Sequence, residues 1–294
     1  GQGTTTGVGN VSIGYYTLAQ ATTTSYNTAI GYEALKGAAV GSSQNIGIGL
    51  RAGKGVTTAS NSVLIGTDAG VAVTTYFNRK WDSDILTLKR VIRDGQIGRV
   101  IRMDSRFERF RPQLNPQSWR ENNSPEDGGG LLLDLMPHLI STAIECFGPA
   151  NLKSSSIRSV RGGADDDCVL VLAHETGVES ILSASAVVGA PGPRLRVIGS
   201  EGAFVVKELD PQEALLRAGK APKDGKWEEG TSSQAFIHRG DSVEEFKTDP
   251  GNYASFYSLV HEAIVNKTAM PISPEEILAV AQIIDKAREI NSHG

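Results

Sequence analysis

An Ile-Gly pair that recurs at a nearly constant interval constrains the first part of this chain more than any other feature. Four segments align on the pair: NVSIGYYTL (10–18), NTAIGYEAL (27–35), NIGIGLRAG (45–53) and SVLIGTDAG (62–70). A regular period of this kind is typical of stacked units that bury a core only against their neighbours. The opening residues are therefore predicted to form repeats rather than an ordinary globular domain.

The repeats are too short and too rich in glycine for helix pairs, so short strands joined by glycine turns fit better. We predict a short β-solenoid or β-roll over residues 1–70. The repeated isoleucine would stack inward, and the asparagine that stands three positions before it in the first three copies would form a hydrogen-bonded ladder. So few repeats bury little core in one chain, which favours association of several chains.

Residues 47–52, GIGLRA, match a Gly-x-Gly-x-x-Ala fingerprint of dinucleotide-binding sites. That fingerprint needs a buried strand before it and a helix after it, because the helix N-terminus receives the pyrophosphate. Here the preceding residues are GSSQN, and the following stretch is rich in glycine and threonine, which are poor helix formers. We assign the motif to the repeat, with a degenerate nucleotide loop as the alternative.

The composition changes sharply near residue 75. Only five charged residues occur in positions 1–75, whereas the chain has 29 Lys and Arg and 33 Asp and Glu, so 57 of these 62 lie further on. We predict two domains, a Gly- and Thr-rich β-repeat over 1–70 and a second domain over 71–294.

Several function classes are disfavoured by composition. A net charge of -4 argues against nucleic acid as a partner. No apolar run approaches the ~20 residues that span a bilayer, and the first residues carry no secretory signal. Cys146 and Cys168 form neither a disulfide framework nor a zinc pattern, so no metal site is predicted. We expect a cytoplasmic protein, or, if the repeats determine its location, one on a virion or cell surface.

Residues 71–294 mix helical and strand patterns. Four apolar residues share one face of a predicted helix that Gly95 would end: Ile85, Leu88, Val91 and Ile92. Strands are predicted near 71–77, 99–112, 155–160, 167–173, 178–188, 194–199 and 203–208, and amphipathic helices at 255–267 and 273–290. The expected fold class is α+β, with a large, mostly antiparallel open sheet flanked by helices.

The stretch DGGGLLLDLMPH (127–138) is the strongest candidate for chemistry. If a helix begins after the glycines, Asp134 and His138 stand at positions i and i+4 on one face. An acid beside a histidine can orient the imidazole and raise its pKa, which suits proton transfer. The alternative is a structural pair without chemistry. Pro137 should kink such a helix and could tilt His138 towards a cleft.

Three segments together resemble the C-terminal domain of the Gfo/Idh/MocA oxidoreductase family: NRKWDSDILTLKRVIRDGQIGRV (78–100), the pair WR (119–120) and GGGLLLDLMPH (128–138). The resemblance covers about residues 71–288. It implies an NAD- or NADP-dependent enzyme acting on a sugar or polyol.

The resemblance also implies roles for individual residues. His138 would be the general acid or base for a substrate hydroxyl, and Asp134 would assist it. Trp119 and Arg120 would line the substrate site, while Asn78 and Arg79 would line the cofactor cleft.

The chain departs from that family because no Rossmann domain or Lys-Pro motif precedes the matching region. Residues 71–77 look like the last strand of such a domain, and the repeats occupy the place of the rest. The expectation is a substrate domain that is catalytically incomplete and binds no cofactor by itself.

The repeats over residues 8–70 resemble those of phage tail fibres and of the heads of trimeric autotransporter adhesins. This implies a second function, a fibre or adhesin-like structural protein; a chimeric chain is a third reading. Self-association is expected in either functional case, as a dimer through the sheet or as a trimer through the repeats.

Overall fold

The chain divides into two units, Gly1–Thr74 and Thr75–Gly294. A computed structural model describes residues 7–19, 24–37, 43–54, 63–66, 74–124, 127–222, 227–266 and 268–292.

Four short strands form a parallel ladder in the first unit, one from each copy of the repeat. They are β1 (Val11–Ile13), β2 (Thr28–Ile30), β3 (Ile46–Ile48) and β4 (Val63–Ile65), paired in that order. The register places the four repeated isoleucines side by side. Each copy therefore adds one strand; closure into a solenoid or roll stays a prediction.

The prediction that the repeated isoleucine points inward is wrong. Ile13 is 58% exposed and Ile65 is 66% exposed, whereas Ala29, the neighbour of Ile30, is fully buried. Successive side chains of a strand point to opposite faces, so only one of these two positions can face the core. In the third copy the inner position is a glycine, and a Cβ on Gly47 would lie 2.8 Å from the Leu35 side chain.

The predicted asparagine ladder is confirmed. The backbone N–H and side-chain amide of Asn27 both donate to Oδ1 of Asn10, at 2.9 and 3.2 Å. The backbone N–H of Asn45 donates to Oδ1 of Asn27 at 2.9 Å. Asn27 and Asn45 are buried, and buried amides of this kind are stable only when hydrogen-bonded. The ladder therefore fixes the register of neighbouring repeats.

The second unit contains eight strands and eight helices among its described residues. The strands are β5 (Val100–Glu108), β6 (Ala150–Arg158), β7 (Asp167–His174), β8 (Glu179–Ser185), β9 (Leu195–Gly199), β10 (Ala203–Val206), β11 (Gln234–Arg239) and β12 (Ser242–Lys247). The helices are α1 (Ser83–Arg93), α2 (Trp119–Asn122), α3 (Leu131–Asp134), α4 (Met136–Phe147), α5 (Gln212–Arg217), α6 (Trp227–Gly230), α7 (Ala254–Asn266) and α8 (Pro274–Ser292), with a 3-10 helix, Asn78–Trp81, before α1.

The strands form one sheet in the order β12-β11-β10-β9-β5-β8-β7-β6. The α+β class is confirmed, but the sheet is mixed, and the expectation of a mostly antiparallel sheet missed the parallel pair at its centre. At its centre β5 and β8 run parallel, whereas the other pairs are antiparallel. Parallel neighbours need a long crossover, and α2 to α4 with β6 and β7 lie between these two strands in the chain.

One apolar core lies between the sheet and the helices. Helix α1 contributes the predicted face: Ile85, Leu88 and Val91 are fully buried, and Ile92 packs against them. Residues 71–73 of the predicted first strand lie outside the described residues, and residues 74–77 form no strand. The last two helices were predicted close to their observed bounds. Strand β12 was not predicted, because SVEEFK is exposed along most of its length and lacks an apolar alternation.

The three glycines before α3 allow two segments to approach its first turn. The carboxylate of Asp165 accepts a hydrogen bond from Leu132 N at 2.7 Å, and its carbonyl accepts one from Leu131 N at 2.9 Å. A Cβ on Gly130 would lie 1.8 Å from Oδ1 of Asp165, and one on Gly129 would lie 2.0 Å from the carbonyl of Asn123. Asp165 thus supplies acceptors for N–H groups that begin the helix.

Asp134 and His138 do not share one helix, which corrects the sequence expectation. Helix α3 ends at Asp134 and α4 begins at Met136, with Leu135 between them at φ -108° and ψ -34°. Pro137 lies in the first turn of α4, where its missing N–H loses no helical hydrogen bond. The proline therefore starts a second helix instead of kinking one.

The Gly130→Ala variant should be much less stable than Gly148→Ala. Both glycines have backbone angles that disfavour side chains, φ 98° with ψ 160° and φ 81° with ψ -169°. A Cβ at Gly148 meets nothing within 4 Å, so that variant should lose only the backbone term, about 1–3 kcal/mol. Gly130→Ala adds an overpacking cost of about 1–3 kcal/mol. Urea unfolding of both variants measures the difference; equal losses would contradict the close contact with Asp165.

Candidate functional site

His138 lies in the first turn of α4 with its ring at the edge of Phe77, 6.1 Å between ring centroids. The imidazole is largely buried, and its Nδ1 has no hydrogen-bond partner among the described residues. Buried polar atoms are usually paired, so an unpaired ring nitrogen is a sign of a position completed by a ligand or water.

Burial lowers the pKa of His138 from its ordinary value of 6.5 to about 4. The positive charges of Arg79 and Arg194 act in the same direction, and the carboxylates of Asp134 and Glu213 oppose them. Asp134 does raise this pKa, as expected from the sequence, but burial and the arginine charges outweigh it. The imidazole is neutral at physiological pH, which is the form that can accept a proton.

Asp134 binds Arg120 rather than His138. Arg120 Nε lies 3.1 Å from Asp134 Oδ1, and the Arg120 guanidinium lies over the Trp119 ring at 4.5 Å from its centroid. No hydrogen bond joins Asp134 to His138 among the described residues. Trp119, Arg120 and Asp134 thus form one partly exposed group, which the sequence had divided between substrate binding and catalysis.

Arg79 is fixed from several sides. Its guanidinium donates to Tyr253 Oη at 2.7 Å and to Glu213 Oε2 at 2.5 Å, and it lies 5.3 Å from the centroid of the Phe107 ring. Burial alone would lower the pKa of Arg79, but Asp82, Tyr253 and Glu213 together raise it. Asn78, its neighbour in the 3-10 helix, is half-buried and makes no side-chain hydrogen bond to a described residue.

Sequence reasoning missed the residues that hold Arg79. Asp82 is fully buried and accepts a hydrogen bond from Tyr253 Oη at 2.6 Å. Burial raises the pKa of Asp82, and Arg79 opposes that rise. The Asp-Ser-Asp run after Trp81 was a usable signal for buried acids. Tyr253 and Glu213 lie in distant segments, so no local pattern could connect them to Arg79.

The arrangement suits a ligand with several hydroxyl groups. Charged side chains of Arg120 and Asp134 supply donors and acceptors, and the half-exposed Trp119 offers a flat apolar face. His138 adds a neutral base within the electrostatic range of Asp134. In the described part of the chain no cluster of histidine, cysteine and acidic side chains is arranged to hold a metal ion, and no described helix could cross a membrane.

The GIGLRA segment does not fit the pyrophosphate end of a dinucleotide cofactor. In GIGLRA, Ile46–Ile48 is strand β3, and Gly49 to Lys54 form turns without a helix. A Cβ on Gly49 would lie 2.5 Å from the carbonyl of Gly66, so this glycine serves close packing between repeats. The assignment of the motif to the repeat is confirmed, and no reaction step through the cofactor is assigned to this chain.

Comparison with known proteins matches residues 85–205 to the model of the GFO/IDH/MocA C-terminal domain. The chain is 32% identical over 230 residues to the uncharacterized oxidoreductase YdgJ of Escherichia coli, a match that covers 76% of this chain and 65% of that protein. It is 30% identical over 230 residues to the scyllo-inositol 2-dehydrogenase (NADP(+)) IolW of Bacillus subtilis, covering 76% and 63%. The chain thus spans less than two thirds of the length of both relatives.

The fold of this chain is also similar to solved structures of oxidoreductases. The crystal structure of an oxidoreductase from Bacillus cereus superposes with a TM-score of 0.62 at 26% identity, over 77% of this chain and 65% of that one. The family model, the relatives and this structure agree with the resemblance carried by the NRKWDSD and GGGLLLDLMPH segments. Residues 85–205 of this chain are therefore similar to the GFO/IDH/MocA C-terminal domain.

Proposed function

We propose that residues 75–294 are the substrate domain of an NAD(P)-dependent oxidoreductase that acts on a sugar or polyol. One observation carries the proposal: a partly buried, neutral His138, whose buried Nδ1 is unpaired among the described residues, lies near the Arg120–Asp134 pair. The matched domain and the name of the relative that oxidises scyllo-inositol support the substrate class.

His138 acts as the base in this proposal. The O–H bond of a substrate hydroxyl breaks, and its proton moves to the neutral imidazole. The new positive charge is favoured by Asp134 and Glu213 and disfavoured by Arg79 and Arg194, because these charges act on the ring. Asp134 also hydrogen-bonds neighbouring hydroxyls together with Arg120, and Trp119 packs on the ligand. Asn78 and Arg79 remain proposed for the cofactor side, where Arg79 is held rigidly.

A second part of the proposal concerns this chain by itself. Because GIGLRA forms turns of the repeat instead of a pyrophosphate loop, we expect that residues 1–294 alone neither bind a dinucleotide nor turn over a sugar. Cytoplasmic location and self-association stay predictions. Sedimentation separates a dimer formed through the sheet from an elongated trimer formed through the repeats.

Sugars and polyols should shift the NMR signal of His138. A panel that begins with scyllo-inositol is titrated into the full chain, and the signal is assigned by its loss in His138→Gln. We expect at least one ligand to shift it saturably, with a weaker effect in Asp134→Asn because a hydroxyl partner is lost. His261, an exposed residue of α7, serves as the internal reference. If no ligand of the panel moves the His138 signal, the proposed substrate site is contradicted.

Calorimetric titration with NAD+, NADP+ and their reduced forms should give no saturable heat up to millimolar concentrations. The physical reason is that GIGLRA forms turns of the repeat without a helix, and that the glycine turn before α3 is already occupied by the Asp165 carboxylate. Saturable micromolar binding would overturn the second part of the proposal and would call for assays of the chain as a complete dehydrogenase.

As the pH is lowered, the free energy of unfolding should decrease less steeply in His138→Gln than in the parent chain. The folded pKa of about 4 lies below the ordinary 6.5, so the unfolded chain takes up the proton first and stability is lost as pH falls between these values. The parent should lose about 2 kcal/mol from this residue between about pH 7 and pH 5. Urea unfolding at both pH values measures it.

His174, whose pKa burial also lowers, is present in both proteins and cancels from the comparison. Identical losses in the parent and in His138→Gln would show that His138 is not held neutral.

A further inference from the structure

Arg109 lies on the site side of the sheet with a fixed backbone. It directly follows β5; its N–H donates to the Ser185 carbonyl at 2.9 Å, and its carbonyl accepts from Val188 N at 3.1 Å. Side chains two apart on an extended segment share a face, so Arg109 shares the face of Phe107. The Phe107 ring lies against the guanidinium of Arg79. Arg109 thus lies on the face of the sheet whose Phe107 contacts Arg79.

The guanidinium of Arg109 has no assigned partner. The side chain is half-buried, yet among the described residues it makes no hydrogen bond and no ion pair. No Arg109 atom is among the fully buried unpaired atoms of the described residues, so its donors face solvent and are accessible to a ligand.

The carboxylates near Arg109 are already engaged. Asp134 is bound by Arg120 at 3.1 Å, and Glu213 is bound by Arg79 at 2.5 Å and also by Arg217. Both acids and Arg217 act electrostatically on Arg109, as does Arg111, the next residue but one. Burial and Arg111 lower the pKa of Arg109, while Asp134 and Glu213 oppose this. Arginine stays protonated in proteins, so the site keeps an excess of positive charge.

We propose that Arg109 binds an oxyanion of the substrate, so that the ligand is an acidic or phosphorylated sugar or polyol rather than a neutral one. The inference rests on the proposed function and adds the substrate class. A carboxylate and a phosphate share the chemistry that matters here, two oxygens that a guanidinium fork can bind in parallel. The hydroxyl groups of the same ligand would then reach Arg120, Asp134 and His138.

Three ligands with one carbon skeleton test this inference: D-glucose, D-glucuronate and D-glucose 6-phosphate. Each is titrated into the full chain at fixed ionic strength, and binding is measured by calorimetry and by the His138 NMR signal. We expect one of the two anions to bind at least about tenfold more tightly than glucose, a difference of about 1.4 kcal/mol, since it adds a charge-assisted pair. The better of the two identifies carboxylate or phosphate as the source of the oxyanion.

Arg109→Gln should abolish the preference for the anion while leaving the affinity for glucose unchanged. Arg109→Lys keeps the charge but loses the planar fork, so an intermediate preference is expected, and it also covers the case in which the glutamine variant does not fold. The matched control is Arg111→Gln, an exposed arginine two positions away, which should alter the preference less than about threefold.

Two results would overturn the proposal, and they differ from each other. If glucose binds and neither anion binds more tightly, or if Arg109→Gln and Arg109→Lys keep the preference, the oxyanion proposal is wrong and the polyol site stands. If none of the three ligands binds and none moves the His138 signal, the proposed function fails, and the oxyanion proposal fails with it.

Discussion

The contact between Asp165 and the bare backbone at Gly130 decides where the candidate site lies. Asp165 accepts hydrogen bonds from the first N–H groups of α3, and a Cβ on Gly130 would clash with its carboxylate. The start of α3 is thereby fixed against the chain segment before β7. Asp134 and His138 then follow at set distances along the chain, on the two sides of the break at Leu135. The glycines that looked like poor packing are the condition for this close approach.

Burial and arginine charge decide the chemistry of the site more than the neighbouring acid does. Sequence proximity suggested that Asp134 would charge the imidazole, yet Asp134 is paired with Arg120, and Arg79 lies close enough to oppose protonation of His138. A carboxylate already bound by a guanidinium has less influence on a third group, because the pair is nearly neutral. His138 is therefore held as the neutral imidazole rather than as the cation of an ion pair with Asp134.

The sequence predicted what is local and periodic. The face of α1, the last two helices and the asparagine ladder all follow from spacing. It failed where a choice depends on distant residues. The inner position of the repeat is set by Leu35 against Gly47, and the protonation of His138 is set by Arg79 and by burial. The parallel pairing of β5 with β8 depends on the crossover between them.

The NRKW segment (78–81) joins elements that are far apart in the sequence, among them the NRKWDSD and GGGLLLDLMPH motifs. Lys80 is 4% exposed and is bonded to Glu145 of α4 at 2.8 Å and to Glu276 of α8 at 2.5 Å. Arg79, beside it, binds Tyr253 and Glu213. Buried ion pairs add little net stability, but removal of one partner costs about 3–5 kcal/mol, so they specify an arrangement more than they strengthen it. Through these bonds one short helix fixes α4, which carries His138, relative to α5, which carries Glu213. The electrostatic environment of the base is thus set by the same residues that join the helices.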